Sequence, residues 1–184
     1  MTAQIFQLFN GGVGEKADQL QPLGKLLLER QEVTEAQLDA ALQIQQRSKA
    51  ELGEILVSHG WASPNAVAKA LAEQYGLGFA DLEQDQPEAI PADVEQIDVL
   101  LKHRILPWRR IGRVPSYVTA NPALAGAALD DLAPHNGMAF FAVADQRSID
   151  SAALRLFGEP LATRAAERTP QDQSVRSLGM ARWL

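Results

Sequence analysis

The sequence predicts an α+β protein, with an N-terminal tandem helix-turn-helix unit of four helices followed by a small α/β sandwich. Three observations carry this. A 24-residue apolar pattern occurs twice, 29 residues apart and without a gap. Downstream of Gln74 the helical spacing gives way to short apolar runs punctuated by glycine and proline. Hydrophobic residues make up 46% of 184 residues and charged residues 22%, enough apolar material to fill a core.

The two copies are Pro22–Gln45 (PLGKLLLERQEVTEAQLDAALQIQ) and Glu51–Gln74 (ELGEILVSHGWASPNAVAKALAEQ), with Gln46–Ala50 between them. Leu23, Gly24, Leu27, Ala41, Leu42 and Gln45 recur as Leu52, Gly53, Leu56, Ala70, Leu71 and Gln74. Each copy opens with a short apolar helix after the Leu-Gly pair. A turn follows, at Arg30–Glu32 in the first copy and at His59–Gly60 in the second. A second helix then starts at a good cap. Thr34 with Gln37 three residues on is a capping-box pattern. Ser63 precedes Pro64, and proline at the first helical position gives up an N–H that no helix bond uses. Behind the caps, Leu38, Ala41, Leu42 and Gln45 fall at helical spacing, as do Val67, Ala70, Leu71 and Gln74. Neither pair of helices is large enough to bury a core alone; together they form a small four-helix unit. Leucines at this spacing are core residues first. A glycine at each helix start and a glutamine near each helix end are not core requirements, and glycine there permits close approach of a backbone or a ligand.

After the repeat, Tyr75–Leu82 (YGLGFADL) reads as a short strand region and Glu83–Pro91 as a polar loop. Asp93–Lys102 reads as a helix. Arg104–Arg110 and Val114–Thr119 read as two strands around a turn at 111–113. Pro107 and Pro115 mark these as edge or short strands. Leu124–Leu132 is a helix, Met138–Ala144 a buried strand, and Ser148–Phe157 a closing helix with Gly158 near its end. The organisation is a leader over 1–19, the tandem repeat over 20–75, an α/β subdomain over 76–159, and a polar linker or tail over 160–184. The apolar LGMARWL at the end is expected to lead into a further domain or a membrane segment.

Several function classes are disfavoured. A formal net charge of −6 does not suit sequence-independent DNA or RNA binding, or attraction to an anionic membrane surface. With no cysteine, disulfides, thiolate catalysis and cysteine-zinc sites are excluded. His59, His103 and His135 are in no metal-binding spacing, so no metal is expected. GGVGEK at 11–16 lacks the spacing of a P-loop. Trp108–Arg109–Arg110 invites a stacking or docking role, but a strand with one buried face and arginines over the sheet edge explains it more simply. Asp130 and Asp131 are adjacent, hence divergent on a helix, and read as solvated. No nucleophile motif or paired-carboxylate signature is present, so the chain reads as a non-enzyme with no resident cofactor. Without a secretion signal or a long apolar run, a cytoplasmic location is expected, with no direct membrane insertion of this segment.

The doubled LGxxL(L/V)…Thr/Ser…AL..Q motif with its five-residue spacer resembles the MshEN type of domain. That family is found in front of type II secretion and type IV pilus ATPases and on some bacterial glycosyltransferases. GLGFADL, RILPWRR, MAFFAVAD and SIDSAALRLFG are similar to the segments that follow in such proteins, so the resemblance spans roughly Leu20 to Gly158. It implies a regulatory module that binds cyclic di-GMP across the two motifs. Leu23, Gly24, Leu27, Gln37, Leu38 and Gln45 would then serve one half of the ligand. Leu52, Gly53, Leu56, Gly60 and Gln74 would serve the other. The implied partner is an effector domain or protein of a secretion, pilus or exopolysaccharide system. A pseudo-twofold repeat suits a pseudo-twofold ligand, and unpaired N–H groups at helix starts donate hydrogen bonds to phosphate oxygens. The chain departs from the family pattern at several positions. Pro22 and Glu51 stand where the motif begins with arginine, Gln31 replaces a late glycine that Gly60 keeps, and Ala66-Val67 replace Gln-Leu. These departures motivate the alternative of a protein-docking adaptor that has lost its nucleotide.

Overall fold

The computed structural model describes residues 21–88, 94–132 and 139–159. The expected leader, the whole of the expected tail (160–184), His135 and Met138 lie outside them. Four helices come first: α1 (Leu23–Glu29), α2 (Glu35–Arg47), α3 (Leu52–Ser58) and α4 (Pro64–Gln74). Next come β1 (Gly78–Phe79), α5 (Val94–Lys102), β2 (Ile105–Ile111) and β3 (Val114–Thr119). A 3-10 turn (Pro122–Leu124) leads into α6 (Ala125–Leu132) and β4 (Phe140–Val143). A last helix, α7, occupies 146–159. The α+β class and the element order agree with the sequence reading.

The helix ends show why the chain folds this way locally. The Thr34 N–H donates to Gln37 Oε1 (2.8 Å) and the Gln37 N–H to Thr34 Oγ1 (3.3 Å), completing the capping box. Ser63 Oγ accepts from the Ala66 N–H (3.1 Å), with Pro64 in the first helical position. The short helices of the two copies end identically. Arg30 and His59 both have φ −86° and ψ 0°. Gln31 (φ 57°) and Gly60 (φ 68°) then turn left-handed. The Gln31 and Gly60 N–H groups reach the Leu28 and Val57 carbonyls (2.9 and 3.0 Å). Those of Glu32 and Trp61 reach the Leu27 and Leu56 carbonyls (both 2.9 Å). This is the paired Schellman pattern that satisfies the last carbonyls of a helix. Gly76 (φ 64°) closes α4 in the same way.

The first copy therefore adopts the glycine conformation without the glycine. An L-residue held left-handed costs about 1–2 kcal/mol, offset in part by the lower chain entropy of a non-glycine. Gln31→Gly is expected to raise unfolding free energy by about 0.5–1 kcal/mol. Gly60→Ala is expected to lower it by about 1 kcal/mol. A Cβ at Gly60 would meet nothing within 4 Å, so this loss is backbone strain alone. Urea denaturation of the two variants checks both signs.

The helical repeats are interlocked. α1 packs on α4 and α2 on α3, so the first helix of each copy lies against the second helix of the other. Leu26, Leu27, Val33, Ala41, Ile55, Leu56, Ala66, Val67 and Ala70 form the core between them. The sheet has the order β1-β4-β3-β2. β2 and β3 form an antiparallel hairpin with an irregularity between Pro107 and Arg109, while β4 runs parallel to both β1 and β3. β2 is thus an edge strand, as Pro107 suggested, but β3 is an inner strand. It tolerates Pro115 because its pairing with β4 begins only at Ser116, which leaves the proline beside a single neighbour. A second core forms on this sheet from Leu82, Ile97, Leu100, Leu106, Trp108, Val118, Phe141 and Phe157, among others. α4 joins the two cores. Ala66, Val67 and Ala70 belong to the helical core, and Ala68 and Ala72 to the sheet core. Its alanines let it be approached from both sides, so a boundary drawn at 75/76 cuts between elements that share one helix.

Candidate functional site

The starts of α1 and α3 lie side by side, and some of the sequence-predicted residues meet there. A Cβ added at Gly53 would stand 2.8 Å from Val67 Cγ1 and 3.6 Å from Leu23 Cδ2. A Cβ at Gly24 would stand 2.7 Å from Leu38 Cδ1. Leu38 and Val67 are equivalent positions, so at both glycines a side chain would press on the second helix of its own copy and force its neighbour to shift. The twin glycines therefore have a structural explanation that the sequence did not offer. Leu23, Leu38 and Leu52 are half-buried around this place, as are Gln45 and Gln74 near the ends of α2 and α4.

Leu27 and Leu56 do not line a surface. Both are 0% exposed, at the centre of the helical core, because their faces of α1 and α3 point inward between the interlocked copies. Their expected place against a ligand is corrected accordingly. Gln37 uses its side-chain oxygen in the capping box. Gly60 is exposed at the far end of α3 and supplies a turn.

The charges near the site are mostly committed. Arg30 at the end of α1 pairs with Glu73 of α4, tying one copy to the other. Lys25 sits 3.7 Å from Glu29 one turn along its own helix. Arg47 and Lys49 are exposed and make no ion pair among the described residues. Glu51, at the position where the family motif has arginine, accepts a hydrogen bond from Asn121 Nδ2 (2.7 Å). Asn121 follows β3, so this contact bridges the helical repeat and the sheet. Tyr75 lies in the same junction. Burial pushes its hydroxyl pKa above the usual tyrosine range, and the Glu51 charge adds to the effect. Neither Asn121 nor Glu73 was singled out from the sequence, because each is a single polar residue whose partner is far away along the chain.

Elsewhere the side chains with chemistry to offer are engaged within the fold. Trp108 is 1% exposed, donates from Nε1 to the Asp85 carbonyl (3.1 Å), and carries the Arg109 guanidinium 3.6 Å over its ring. Arg109 also pairs with Asp85. Asp131 is held below the ordinary carboxylate range by hydrogen bonds from Lys102 (2.6 Å) and His103 (2.7 Å). A groove of about 430 Å³ lies between the start of α4, the loop after β1 and the start of α7. Two of its carboxylates serve local turns. Asp145 accepts from the Ser148 N–H (3.0 Å), and Asp81 accepts from the Glu83 N–H (3.1 Å). Among the described residues no group of three His, Asp or Glu could hold a metal ion, and no helix is long and apolar enough to cross a membrane.

Comparison with known proteins gives this geometry its context. Residues 75–163 match the MshEN domain family. Bacteriophage adsorption protein B of Escherichia coli (strain K12) is 38% identical over 94 residues, covering 49% of this chain and 12% of that protein. The type IV pilus assembly ATPase PilB of Pseudomonas aeruginosa is 34% identical over 85 residues, covering 46% of this chain and 14% of PilB. The matches thus span only a small part of these relatives. Among solved structures, MshE with cdg (cyclic di-GMP) aligns with a TM-score of 0.62 and 27% identity, over 74% of this chain and 99% of that one. This is more of the chain than everything from Tyr75 onward, so the likeness reaches into the helical repeat. The N-terminal domain of XpsE shares the fold, with a TM-score of 0.55 at 24% identity over 72% of this chain and 92% of that one. The family match itself falls on the sheet-bearing part, whose segments are less distinctive by eye than the doubled motif. By that match, and by the likeness to MshE, this chain resembles the MshEN domain in its sheet-bearing part and shares the fold of MshE.

Proposed function

We propose that the chain is a non-enzymatic regulatory module that binds cyclic di-GMP across the adjoining starts of α1 and α3 and passes that state to an effector. The effector is a secretion or pilus ATPase, or a membrane glycosyltransferase, attached to or partnered with the module on the cytoplasmic side. The observation that carries this reading is the pairing of the two Leu-Gly starts, with Leu23 of one copy against Gly53 of the other. A ligand with two equivalent halves meets there two equivalent sets of backbone and apolar groups. Leu23, Leu38 and Leu52 offer apolar edges for the guanines, and Gln45 and Gln74 polar contacts for their rims. Gly24 and Gly53 keep the helix starts free of side chains, while Leu27 and Leu56 support the site from within the core. The likeness to MshE with its nucleotide supports the same ligand. Regulation requires only that the ligand favour one arrangement of the module over another.

The adaptor reading rests on a specific observation too. Neither motif begins with arginine, and Arg30, at the end of α1, is taken up by Glu73. Isothermal titration separates the two. A sensor gives a selective signal for cyclic di-GMP at micromolar concentration or tighter, absent with GTP and cyclic di-AMP, and lost on Leu23→Asp in a variant that keeps its circular dichroism spectrum. Silence at tens of micromolar from the folded wild type assigns the repeat to protein docking instead.

A further inference from the structure

We propose that Asn121, in the loop after β3, is a positioning residue for the second motif: it holds the Glu51 carboxylate off the shared start of α1 and α3, and so makes the sheet-bearing part a component of the nucleotide site. The inference rests on the cyclic di-GMP reading above. Glu51 is the residue before α3 and forms no side-chain cap on that helix. A free carboxylate at this position is drawn to the first-turn N–H groups by the helix dipole. Those N–H groups are the ones a phosphate needs, and a carboxylate among them would both occupy them and repel the ligand. Instead the carboxylate takes a hydrogen bond from Asn121 Nδ2 at 2.7 Å.

The donor is firmly held. The Asn121 N–H donates to Thr119 Oγ1 (3.0 Å), and its carbonyl accepts from the Leu124 N–H (3.2 Å). Thr119 is fully buried, and its own carbonyl accepts from the Ala144 N–H at the end of β4 (3.1 Å). Asn121 is thus anchored to the sheet rather than swinging with the loop. The equivalent position in the first copy is Pro22, which carries no charge and needs no such partner. The asymmetry matches a device that deals with one misplaced charge.

The test is titration of the full chain with cyclic di-GMP at low ionic strength, using wild type, Asn121→Ala, Asn121→Asp, Glu51→Ala and the Glu51→Ala/Asn121→Ala double variant. Asn121→Ala is expected to weaken binding about threefold, the scale of an exposed charge interaction. Asn121→Asp, which faces the carboxylate with another, is expected to weaken it further. Glu51→Ala should bind as tightly as wild type or tighter, and in that background Asn121→Ala should have no effect. Rescue by removal of Glu51 is the readout a merely structural role for Asn121 would not give. Wild-type affinity in both Asn121 variants overturns the proposal, as does a loss that persists without Glu51. Binding by the Glu51→Ala variants alone overturns it as well, since Glu51 would then block the site in the native chain. Silence from every variant overturns the nucleotide reading itself, and the role of Asn121 with it.

Discussion

Leu56→Ala is expected to lower the unfolding free energy by about 2–5 kcal/mol, the range for truncating a buried leucine. Leu56 is 0% exposed and packs among Leu26, Leu27, Ile55, Val67 and Ala70, where α3 meets α2 and α4. The hole left behind is lined by short helices whose ends are fixed by their own turns. The Leu56 carbonyl accepts from both the Trp61 N–H (2.9 Å) and the Ala62 N–H (3.2 Å), which limits how far α3 can move to fill the space. Against a typical domain stability of about 5–15 kcal/mol, this is a large share. Leu27→Ala is the pseudo-symmetric control and is expected to cost a similar amount. Urea denaturation gives the stability loss, and titration with cyclic di-GMP at a temperature where circular dichroism shows the variants folded reads the proposed nucleotide affinity. The two leucines are expected to change stability and leave affinity largely intact. A variant that loses affinity at full stability would place them on the ligand rather than in the core.

Trp108→Ala is expected to cost about 3–5 kcal/mol, the range for removing a buried large aromatic. The indole fills the sheet core from the edge strand β2, beside the irregularity that separates Pro107 from Arg109. It also organises its surroundings, with its N–H on the Asp85 carbonyl and Arg109 stacked on its face and paired to Asp85. Trp108→Phe keeps most of the apolar volume and loses the hydrogen bond, so about 1–2 kcal/mol is expected. Thermal and urea unfolding of both variants measure this ordering. An alanine variant as stable as the phenylalanine variant would contradict the burial of the indole. The two cores share α4, so Leu56→Ala and Trp108→Ala are each expected to lower a single cooperative transition, although they act in different cores.

The local outcomes were legible in the sequence because local physics decides them. The capping box at Thr34, the Ser63-Pro64 start, the turn at Gly60 and the hairpin around Gly112 depend on residues within a few positions of each other. The gapless repeat told of two equivalent helix pairs because the same pattern folds the same way twice, down to matching end angles at Arg30 and His59. Even Gln31 was identifiable as the first copy's missing glycine, and its left-handed conformation goes with the same pair of backbone hydrogen bonds that ends α3 at Gly60.

What the tertiary structure alone decided is which face of each element is used, and by what. In a single pattern a leucine that supports a site and a leucine that touches a ligand look the same. Only the crossing of α1 on α4 and α2 on α3 buried Leu27 and Leu56 and left Leu23 and Leu52 half-exposed. The twin glycines pointed to close approach, but packing against Leu38 and Val67 named the partner. Glu51 looked like a charge in the wrong place until Asn121, 70 residues away, was found to hold it. Such contacts join distant residues through the fold, and burial and hydrogen-bond pairing at that range are set by how whole elements pack rather than by any local run of residues.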